Sequence, residues 1–367
     1  MDQEIYVYIG TYTCPIEFGT GQILQGRGEG IYVLKFNLNT VNLKYMYTIQ
    51  DVVNPSYIAL KNNKNYLYSV NEIKNFNHKI SGSVSSFVLC DNKFTFKNKQ
   101  PTNGADPCYV SLNQKEQQLY VTNFMTGNIS IYNVGCNGEI GELIQMINHS
   151  GSSIDSKRQS GPHAHCIIFS PDGQYALVAD LGLDKLMIYK VDGNTGKLDT
   201  ESQFFLETKP GSGPRHCIFG KSEKYCYLIN ELDCTINVIH CSFKENKLEI
   251  IQSVSSLPEG IDVKDNSCAD IQITPDGNFL YGSNRGRDSL ITYSIDKNTG
   301  LLSYAGYKSS GGKTPRNFAI DPTGNYLLCA NQDSDTIVVF TIDTTTGNLS
   351  EKSQIDIPSP VCIKFKS

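Results

Sequence analysis

A short element built around a proline and an asparagine recurs along the chain, and it constrains the fold more than any other feature. In four copies the asparagine stands 16 residues after the proline, as in Pro55–Asn71, Pro107–Asn123, Pro214–Asn230 and Pro315–Asn331. Two further copies keep the body of the element, with Asp180 and Asn284 in the asparagine position. A single copy is incomplete alone, so its copies must pack against one another.

Each copy has the pattern of a β-hairpin followed by two more strands. Two apolar runs of strand length flank a polar tip, and the tips SPDGQY, TPDGNF and DPTGNY share a proline–glycine turn. A third run follows, and a weaker fourth run comes after turns such as DKNTGLL. The unit recurs about every 45–55 residues without helical periodicity, which predicts the four-stranded blades of a β-propeller.

The two ends of the chain supply one further blade. The N-terminal runs IYVYIGTYT and GIYVLKFNL match a second and a third strand, and VCIKF after Pro360 matches a first strand. Six internal copies and this shared blade predict an all-β, seven-bladed β-propeller, with one blade closed by the N- and C-terminal strands. We expect residues 1–367 to form a single domain, in which the polar stretch 148–160 is long enough to be a mobile flap.

The composition is typical of a soluble globular protein and disfavours several classes of function. A hydrophobic content of 39% argues against disorder, and a net charge of −5 argues against broad nucleic-acid binding. No run approaches the roughly 20 apolar residues of a membrane helix, and no signal peptide is apparent. The 12 cysteines form no CxxC pair, which favours reduced thiols in the cytoplasm. We expect no membrane partner, and a monomer or weak homo-oligomer.

Aligning the copies places ionisable side chains at equivalent positions in several blades. Antiparallel pairing sets the start of the first strand beside the end of the second strand. The position 15 residues before the asparagine therefore shares one end of the blade with the position just after it. These two positions hold His165, Arg215, Glu231 and Arg285. Because first strands line the channel of a propeller, we expect the four to converge on one mouth of it from three successive blades.

The four residue types suit the attack of water on the carbonyl of an anionic substrate. Two arginines bind phosphate or carboxylate and polarise a carbonyl group. His165 and Glu231 are both candidates for the general base. Further polar residues are predicted to contact the substrate from nearby: His163, His216, Asn230, Asp270, Asn284 and Arg316. The competing interpretation is that a polar rim holds only structural ion pairs.

The sequence predicts no metal and no cofactor. The spaced glycines of residues 21–30 lack the strand-to-helix context of a nucleotide-binding fingerprint. The pair of histidines at His163 and His165 has no matching carboxylate nearby in sequence, which disfavours a metal there. We therefore expect the chemistry to be carried by protein side chains.

Several long motifs resemble the lactonase family of seven-bladed propellers. They are GPHAHCIIFSPDG, GPRHCIFG, ADIQITPDGNFLYGSNRG and TPRNFAIDPTGNYL. The resemblance covers nearly the whole chain and is densest between Gly161 and Leu349. The family includes bacterial 6-phosphogluconolactonases and the fungal carboxy-cis,cis-muconate cyclising enzyme. Its proposed active-site residues map onto the four residues that the alignment of the copies identifies.

The resemblance implies the hydrolysis of 6-phosphoglucono-1,5-lactone to 6-phosphogluconate in the oxidative pentose phosphate pathway. The partner is then a small anionic sugar lactone, and no cofactor is needed. A carboxy-cis,cis-muconate cyclase would use the same residue types, because its substrate is also an anion with an ester or an ester-forming carboxylate. The sequence is also compatible with a lactonase for unphosphorylated sugar lactones and with a non-catalytic propeller that binds proteins.

Overall fold

A computed structural model describes residues 4–61 and 65–366 of the chain. In these ranges the only helical element is a 3-10 turn at Phe243–Glu245, and all other regular structure is β-strand. The strands form seven four-stranded antiparallel sheets and two short two-stranded ones. The predicted all-β fold with seven four-stranded propeller blades is therefore confirmed. No helix of the described ranges is long and apolar enough to cross a membrane.

The blades are numbered in chain order, and each is given from its first to its fourth strand. Blade 1 contains Ile58–Leu60, Tyr66–Asn71, Ser83–Cys90 and Lys93–Pro101. Blade 2 contains Pro107–Leu112, Gln118–Asn123, Asn128–Val134 and Ile140–Asn148. Blade 3 contains Ala164–Phe169, Tyr175–Asp180, Lys185–Val191 and Leu198–Glu207. Blade 4 contains Pro214–Phe219, Tyr225–Asn230, Thr235–Ser242 and Lys247–Ser255.

The remaining strands follow the same order. Blade 5 contains Ser267–Ile273, Phe279–Arg285, Ser289–Ile295 and Leu302–Ser309. Blade 6 contains Pro315–Ile320, Tyr326–Asn331, Thr336–Ile342 and Leu349–Asp356. Blade 7 contains Pro360–Phe365, Glu4–Thr11, Ile31–Asn37 and Asn42–Ile49. Two hairpins lie outside the blades: Ile16–Glu17 with Ile23–Leu24, and Asn75–Phe76 with Lys79–Ile80.

The chain divides into two compact units, each built from more than one segment. Unit 1 consists of the described parts of residues 1–9, 32–48 and 215–367, and holds blades 4 to 7. Unit 2 consists of the described parts of residues 10–31 and 49–214, and holds blades 1 to 3. The organisation of residues 1–367 as a single domain stays a prediction.

Blade 7 joins the two ends of the chain, as the sequence predicts. The C-terminal strand Pro360–Phe365 lies beside Glu4–Thr11, and the backbone N–H of Lys366 donates to the carbonyl of Tyr6 at 2.9 Å. Ile363 packs in a buried cluster with side chains of blades 6 and 7, including Val7 and Leu328. Apolar side chains of blades 6 and 7 thus cover one another, which removes both surfaces from water.

A tyrosine on the second strand reaches the turn between the third and fourth strands of the next blade in four places. The phenol donates to a glycine carbonyl at 2.5–3.1 Å in each pair: Tyr68–Gly138, Tyr120–Gly196, Tyr227–Gly300 and Tyr281–Gly347. These glycines have positive φ, and a Cβ would overlap a side chain of the preceding blade. The turn sequence therefore serves packing between blades.

The asparagine that marks each repeat fastens the chain segment entering its blade. In four blades its Nδ2 donates to a carbonyl between the preceding blade and its own blade, in the pairs Asn71–Val53, Asn123–Thr102, Asn284–Ser256 and Asn331–Ser310. Opposite this position, the first strand contains a β-bulge in blades 2, 3, 5 and 6. A bulge turns one side chain out of the regular alternation of the strand, and the predicted site residues His165 and Arg316 stand in two of these bulges.

The stretch 148–160, expected to be long enough for a mobile flap, is tied down by hydrogen bonds in unit 2. Gln159 donates from Nε2 to the carbonyl of Leu181 at 2.9 Å and from its backbone N–H to Asp155 at 2.7 Å. The hydroxyl of Ser153 donates to Asp184 at 2.6 Å. These contacts hold the loop against blade 3.

Removing the C-terminal strand should leave the strand Glu4–Thr11 of blade 7 without its neighbour on one edge. A chain that ends before Pro358 is expected to aggregate, which size-exclusion chromatography measures directly. The point variants Ile363→Val and Ile363→Ala provide a graded control, since Ile363 is buried. The free energy of unfolding should fall by about 1 kcal/mol in Ile363→Val and by about 2–5 kcal/mol in Ile363→Ala. A soluble truncated protein with the melting temperature of the full chain would contradict this role of the strand.

Candidate active site

Two arginines share one carboxylate oxygen in unit 1. Nε of Arg215 donates to Oε2 of Glu231 at 2.8 Å, and Nη2 of Arg285 donates to the same oxygen at 2.9 Å. Arg215 is the second residue of the first strand of blade 4, Glu231 follows the second strand of that blade, and Arg285 ends the second strand of blade 5. The three residues carry a net charge of +1. The convergence of these three predicted residues is therefore observed.

The bulge in the first strand of blade 5 supplies further acceptors to both arginines. Nη2 of Arg285 donates to the carbonyl of Cys268 at 2.6 Å, and Nη1 of Arg215 donates to the carbonyl of Ala269. Regular strand pairing would direct two consecutive carbonyls to opposite sides of the strand. The bulge breaks this pattern between Cys268 and Ile271, so that both guanidinium groups are held by one segment of backbone.

The two arginines differ in how far they reach solvent. The Arg215 side chain is 3% exposed, whereas the Arg285 side chain is 16% exposed. A ligand that approaches this cluster therefore meets Arg285 more readily than Arg215. Cations held in a partly buried, low-dielectric setting interact more strongly with a developing negative charge than cations in water.

A buried histidine and a buried aspartate lie next to Arg215. Nδ1 of His216 is 2.8 Å from Oδ1 of Asp270, and Nε2 of His216 is 3.3 Å from Nη1 of Arg215. Burial, followed by the charge of Arg215, lowers the pKa of His216 to about 4, so this imidazole is neutral at neutral pH. Burial opposes ionisation of Asp270, but hydrogen bonds from His216 and Ile271 hold the pKa of Asp270 below its ordinary value.

The other residues predicted to contact substrate differ in their surroundings. Asn284 is fully buried and uses both polar atoms of its amide within the protein, with Ser256 and Cys268 as partners. Asn230 is also fully buried, and its Nδ2 donates to Thr235 and Asn237 of its own blade. Arg316 is half-buried in the bulge of blade 6. These bonds favour a structural role for Asn284, whereas Oδ1 of Asn230 has no hydrogen-bond partner among the described residues.

His165 and His163 lie in unit 2, around the ring of Phe124. His165 is buried at the bulge of blade 3, and its Nδ1 is 3.8 Å from Sγ of Cys108. The ring of Phe124 stacks on His163 with centroids 4.5 Å apart and meets His165 edge-on at 5.5 Å. The predicted convergence of His165 with the residues of unit 1 stays a prediction.

Two buried carboxyl groups of unit 2, Glu72 and Asp106, are not among the site residues predicted from the sequence. Glu72 follows the asparagine of blade 1, as Glu231 does in blade 4, and its Oε2 accepts from the hydroxyl of Tyr12 at 3.0 Å. Burial and the nearby charge of Glu72 raise the pKa of Asp106 to about 7. Glu72 could have been predicted as a site residue from its position in the repeat, just after the asparagine. Asp106 could not, because no repeat position or sequence spacing links it with Glu72.

The buried neutral His216 should make stability depend on pH. Its pKa of about 4 lies below the ordinary value of 6.5, so between these values the unfolded chain binds a proton that the folded chain does not. The free energy of unfolding should therefore fall as the pH drops through this window, by up to about 1.4 kcal/mol per pH unit. Urea unfolding should show this slope in the wild type and lose part of it in His216→Gln, but keep it in the control His240→Gln. Equal slopes in all three proteins would contradict the assignment.

Asp106 should make the free energy of unfolding depend on pH in the opposite direction. Its pKa of about 7 lies above the ordinary value of 3.8, so the folded chain gains stability from protonating it as the pH falls through this window. Asp106→Asn mimics the protonated form, and asparagine tolerates the positive φ of this position. The variant should be more stable than the wild type at about pH 8, by on the order of 1–3 kcal/mol, and nearly equal to it at about pH 4. Thermal melts at the two pH values measure this; a variant that is less stable at about pH 8 would contradict it.

Comparisons with known proteins agree with this fold. A 6-phosphogluconolactonase of Bacillus subtilis (strain 168) is 32% identical over 362 residues, which are 98% of this chain and 97% of that protein. A 6-phosphogluconolactonase of Formosa agariphila is 33% identical, over 80% of this chain and 82% of that protein. Among solved structures, a periplasmic gluconolactonase of Pseudomonas aeruginosa superposes with a TM-score of 0.88 at 28% identity, covering 99% of both chains.

The family model described as "Lactonase, 7-bladed beta-propeller" matches residues 6–365, which is nearly the whole chain. The match includes all seven blades and every residue of the site. The chain therefore belongs to the lactonase family of seven-bladed β-propellers.

Proposed function

We propose that this protein is a 6-phosphogluconolactonase that hydrolyses 6-phosphoglucono-1,5-lactone to 6-phosphogluconate. The observation that carries the proposal is the pair of arginines fixed on Glu231. The similarity to two relatives named 6-phosphogluconolactonase supports it. Ester hydrolysis needs groups that stabilise the oxyanion of the tetrahedral intermediate without reorganising. Guanidinium groups that are already held by a carboxylate and by backbone carbonyls meet this need.

The reaction begins when water adds to the lactone carbonyl and gives up a proton to a general base. The carbonyl oxygen becomes an oxyanion, which the cationic cluster stabilises. The intermediate then collapses, the bond to the ring oxygen breaks, and that oxygen takes a proton to become a hydroxyl group. Arg285 is the arginine proposed to contact the oxyanion or the phosphate, because its side chain is the more exposed of the two.

Glu231 is proposed to orient the arginines. Its Oε2 already accepts two charge-assisted hydrogen bonds, and protonation of that oxygen would weaken both ion pairs. His165 is therefore the candidate for the general base, as the type of its side chain suggests. The half-buried Arg316 keeps its assignment as a residue that contacts the substrate, as part of the same proposal.

A second candidate substrate is the unphosphorylated glucono-1,5-lactone. The similarity to the Pseudomonas gluconolactonase supports it, and the ester bond to be cleaved is the same. The two substrates differ by the phosphate group, so a phosphate-binding cation should appear as a difference in KM. Initial rates for both lactones, corrected for spontaneous hydrolysis, distinguish the two candidates. A carboxymuconolactone in the same assay tests the third candidate, a muconate-type substrate.

Substituting either arginine should reduce the rate of lactone hydrolysis. Arg285→Ala and Arg215→Ala are each expected to lower kcat/KM by about 10²–10³, the range found when one oxyanion donor is removed. The matched control is Arg287→Ala, because Arg287 is exposed two residues from Arg285 and contacts Tyr307. It should keep wild-type activity. Wild-type kcat/KM in Arg285→Ala would remove this residue from the mechanism.

A further inference from the structure

A continuous chain of hydrogen bonds runs from the C-terminal strand to Arg215 within unit 1. The backbone N–H of Ile363 donates to Oδ1 of Asn317 at 2.7 Å, and Nδ2 of Asn317 donates to Oδ2 of Asp270 at 2.6 Å. Oδ1 of Asp270 lies 2.8 Å from Nδ1 of His216, whose Nε2 is 3.3 Å from Nη1 of Arg215. The chain therefore connects blades 7, 6, 5 and 4.

The chemistry of the end groups fixes the direction of every bond in this chain. A guanidinium only donates hydrogen bonds, and an ionised carboxylate only accepts them. The neutral imidazole of His216 must therefore carry its proton on Nδ1, which donates to Asp270, and must accept from Arg215 at Nε2. The other tautomer would bring two donors together at Arg215 and two acceptors together at Asp270.

We propose that Asp270 and His216 are positioning residues that hold the guanidinium of Arg215 in place for lactone hydrolysis, an inference that rests on the proposed function. Asp270 is 1% exposed and His216 is 6% exposed, and protein groups engage their polar atoms. They therefore act on Arg215 rather than on the substrate. This replaces their assignment in the sequence analysis as residues that contact substrate.

Arg215 needs acceptors on more than one side to be held in one orientation. Its side chain has several rotatable bonds, and its Nε alone is engaged by Glu231. His216 and the carbonyl of Ala269 both accept from Nη1, which restricts rotation of the guanidinium plane about the bond to Glu231. A displacement of about 1 Å in a group that orients the reacting atoms costs about 10²-fold in rate.

Asp270 is a suitable anchor for this arrangement because its charge is satisfied from several directions. The backbone N–H of Ile271 donates to Oδ1 at 2.9 Å, while Asn317 and the N–H of Phe318 donate to Oδ2 at 2.6 and 3.3 Å. The amide of Asn317 cannot reverse without losing its bond from Ile363. The C-terminal strand therefore contributes to the orientation of the carboxylate, and the carboxylate sets the tautomer of His216.

Three substitutions of histidine separate a positioning role from a merely structural one. Glutamine offers an oxygen to Arg215 and an N–H to Asp270, so His216→Gln should keep kcat within about threefold of the wild type. His216→Phe keeps the size but offers no acceptor, and its kcat should fall about 10–10²-fold with KM changed less. His240→Gln, the same change elsewhere in blade 4, should leave both constants unchanged. Wild-type kcat in His216→Phe would overturn the proposal.

The effects of substituting Asp270 and His216 on kcat should also be coupled. Asp270→Asn removes the charge that selects the tautomer and should lower kcat about tenfold or more in the wild-type background. In the His216→Phe background the same change should cost less, because phenylalanine neither donates to residue 270 nor accepts from Arg215 and so removes the path through which Asp270 acts. Equal costs in the two backgrounds, with all four proteins folded as judged by thermal melts, would show that the residues act independently and would overturn the coupling.

A measurement that does not depend on activity tests the same arrangement. In the full-length protein with ¹⁵N-labelled histidine, NMR of the ring nitrogens at about pH 7 should show His216 neutral with its proton on Nδ1, the signal being assigned by its loss in His216→Gln. A proton on Nε2, or a charged ring, would overturn the proposal. If the wild type hydrolyses none of the lactones, the proposed function fails, and the tautomer still shows whether Asp270 and His216 orient Arg215.

Discussion

The structure depends on the need of each four-stranded sheet to cover both of its faces. A single blade buries little apolar surface by itself, so its stability comes from packing against the sheets beside it. The core clusters of unit 1 follow this rule, since side chains of blades 4 and 5, 5 and 6, and 6 and 7 pack together. The tyrosine-to-glycine hydrogen bonds and the asparagine bonds add specific contacts to this non-directional packing.

The candidate site uses the features that interrupt the regular sheets. Bulges at the starts of first strands turn side chains and carbonyl groups away from the alternating pattern. In blade 5, one bulge places two carbonyls against two arginines and directs Asp270 towards His216. In a regular strand, the two consecutive carbonyls would point to opposite sides of the strand. The chemistry of the site therefore depends on rigid backbone that adjacent blades hold in place.

Burial of Arg215, Glu231 and Asp270 is tolerated because each has hydrogen-bonding partners. Replacing one member of a buried, hydrogen-bonded ion pair leaves the other uncompensated, which costs more than the net contribution of the pair. Glu231 and Asp270 each accept hydrogen bonds from at least two groups. The same network that fixes the arginines is therefore sensitive to single substitutions, and conservative variants such as glutamine for His216 separate orientation from folding.

The sequence by itself determined the number of blades, the strands of each blade and the end of the blade at which Arg215, Glu231 and Arg285 lie. It did so because repeats, turn residues and two-residue alternation are local properties of the chain. The tertiary structure decided which side chains touch: that one oxygen of Glu231 accepts from both arginines, that the amides of Asn230 and Asn284 donate within the protein, and that His216 faces Asp270. These contacts depend on bulges and on the packing of residues that are distant in the chain, such as Asn317 and Ile363, and no local pattern encodes them.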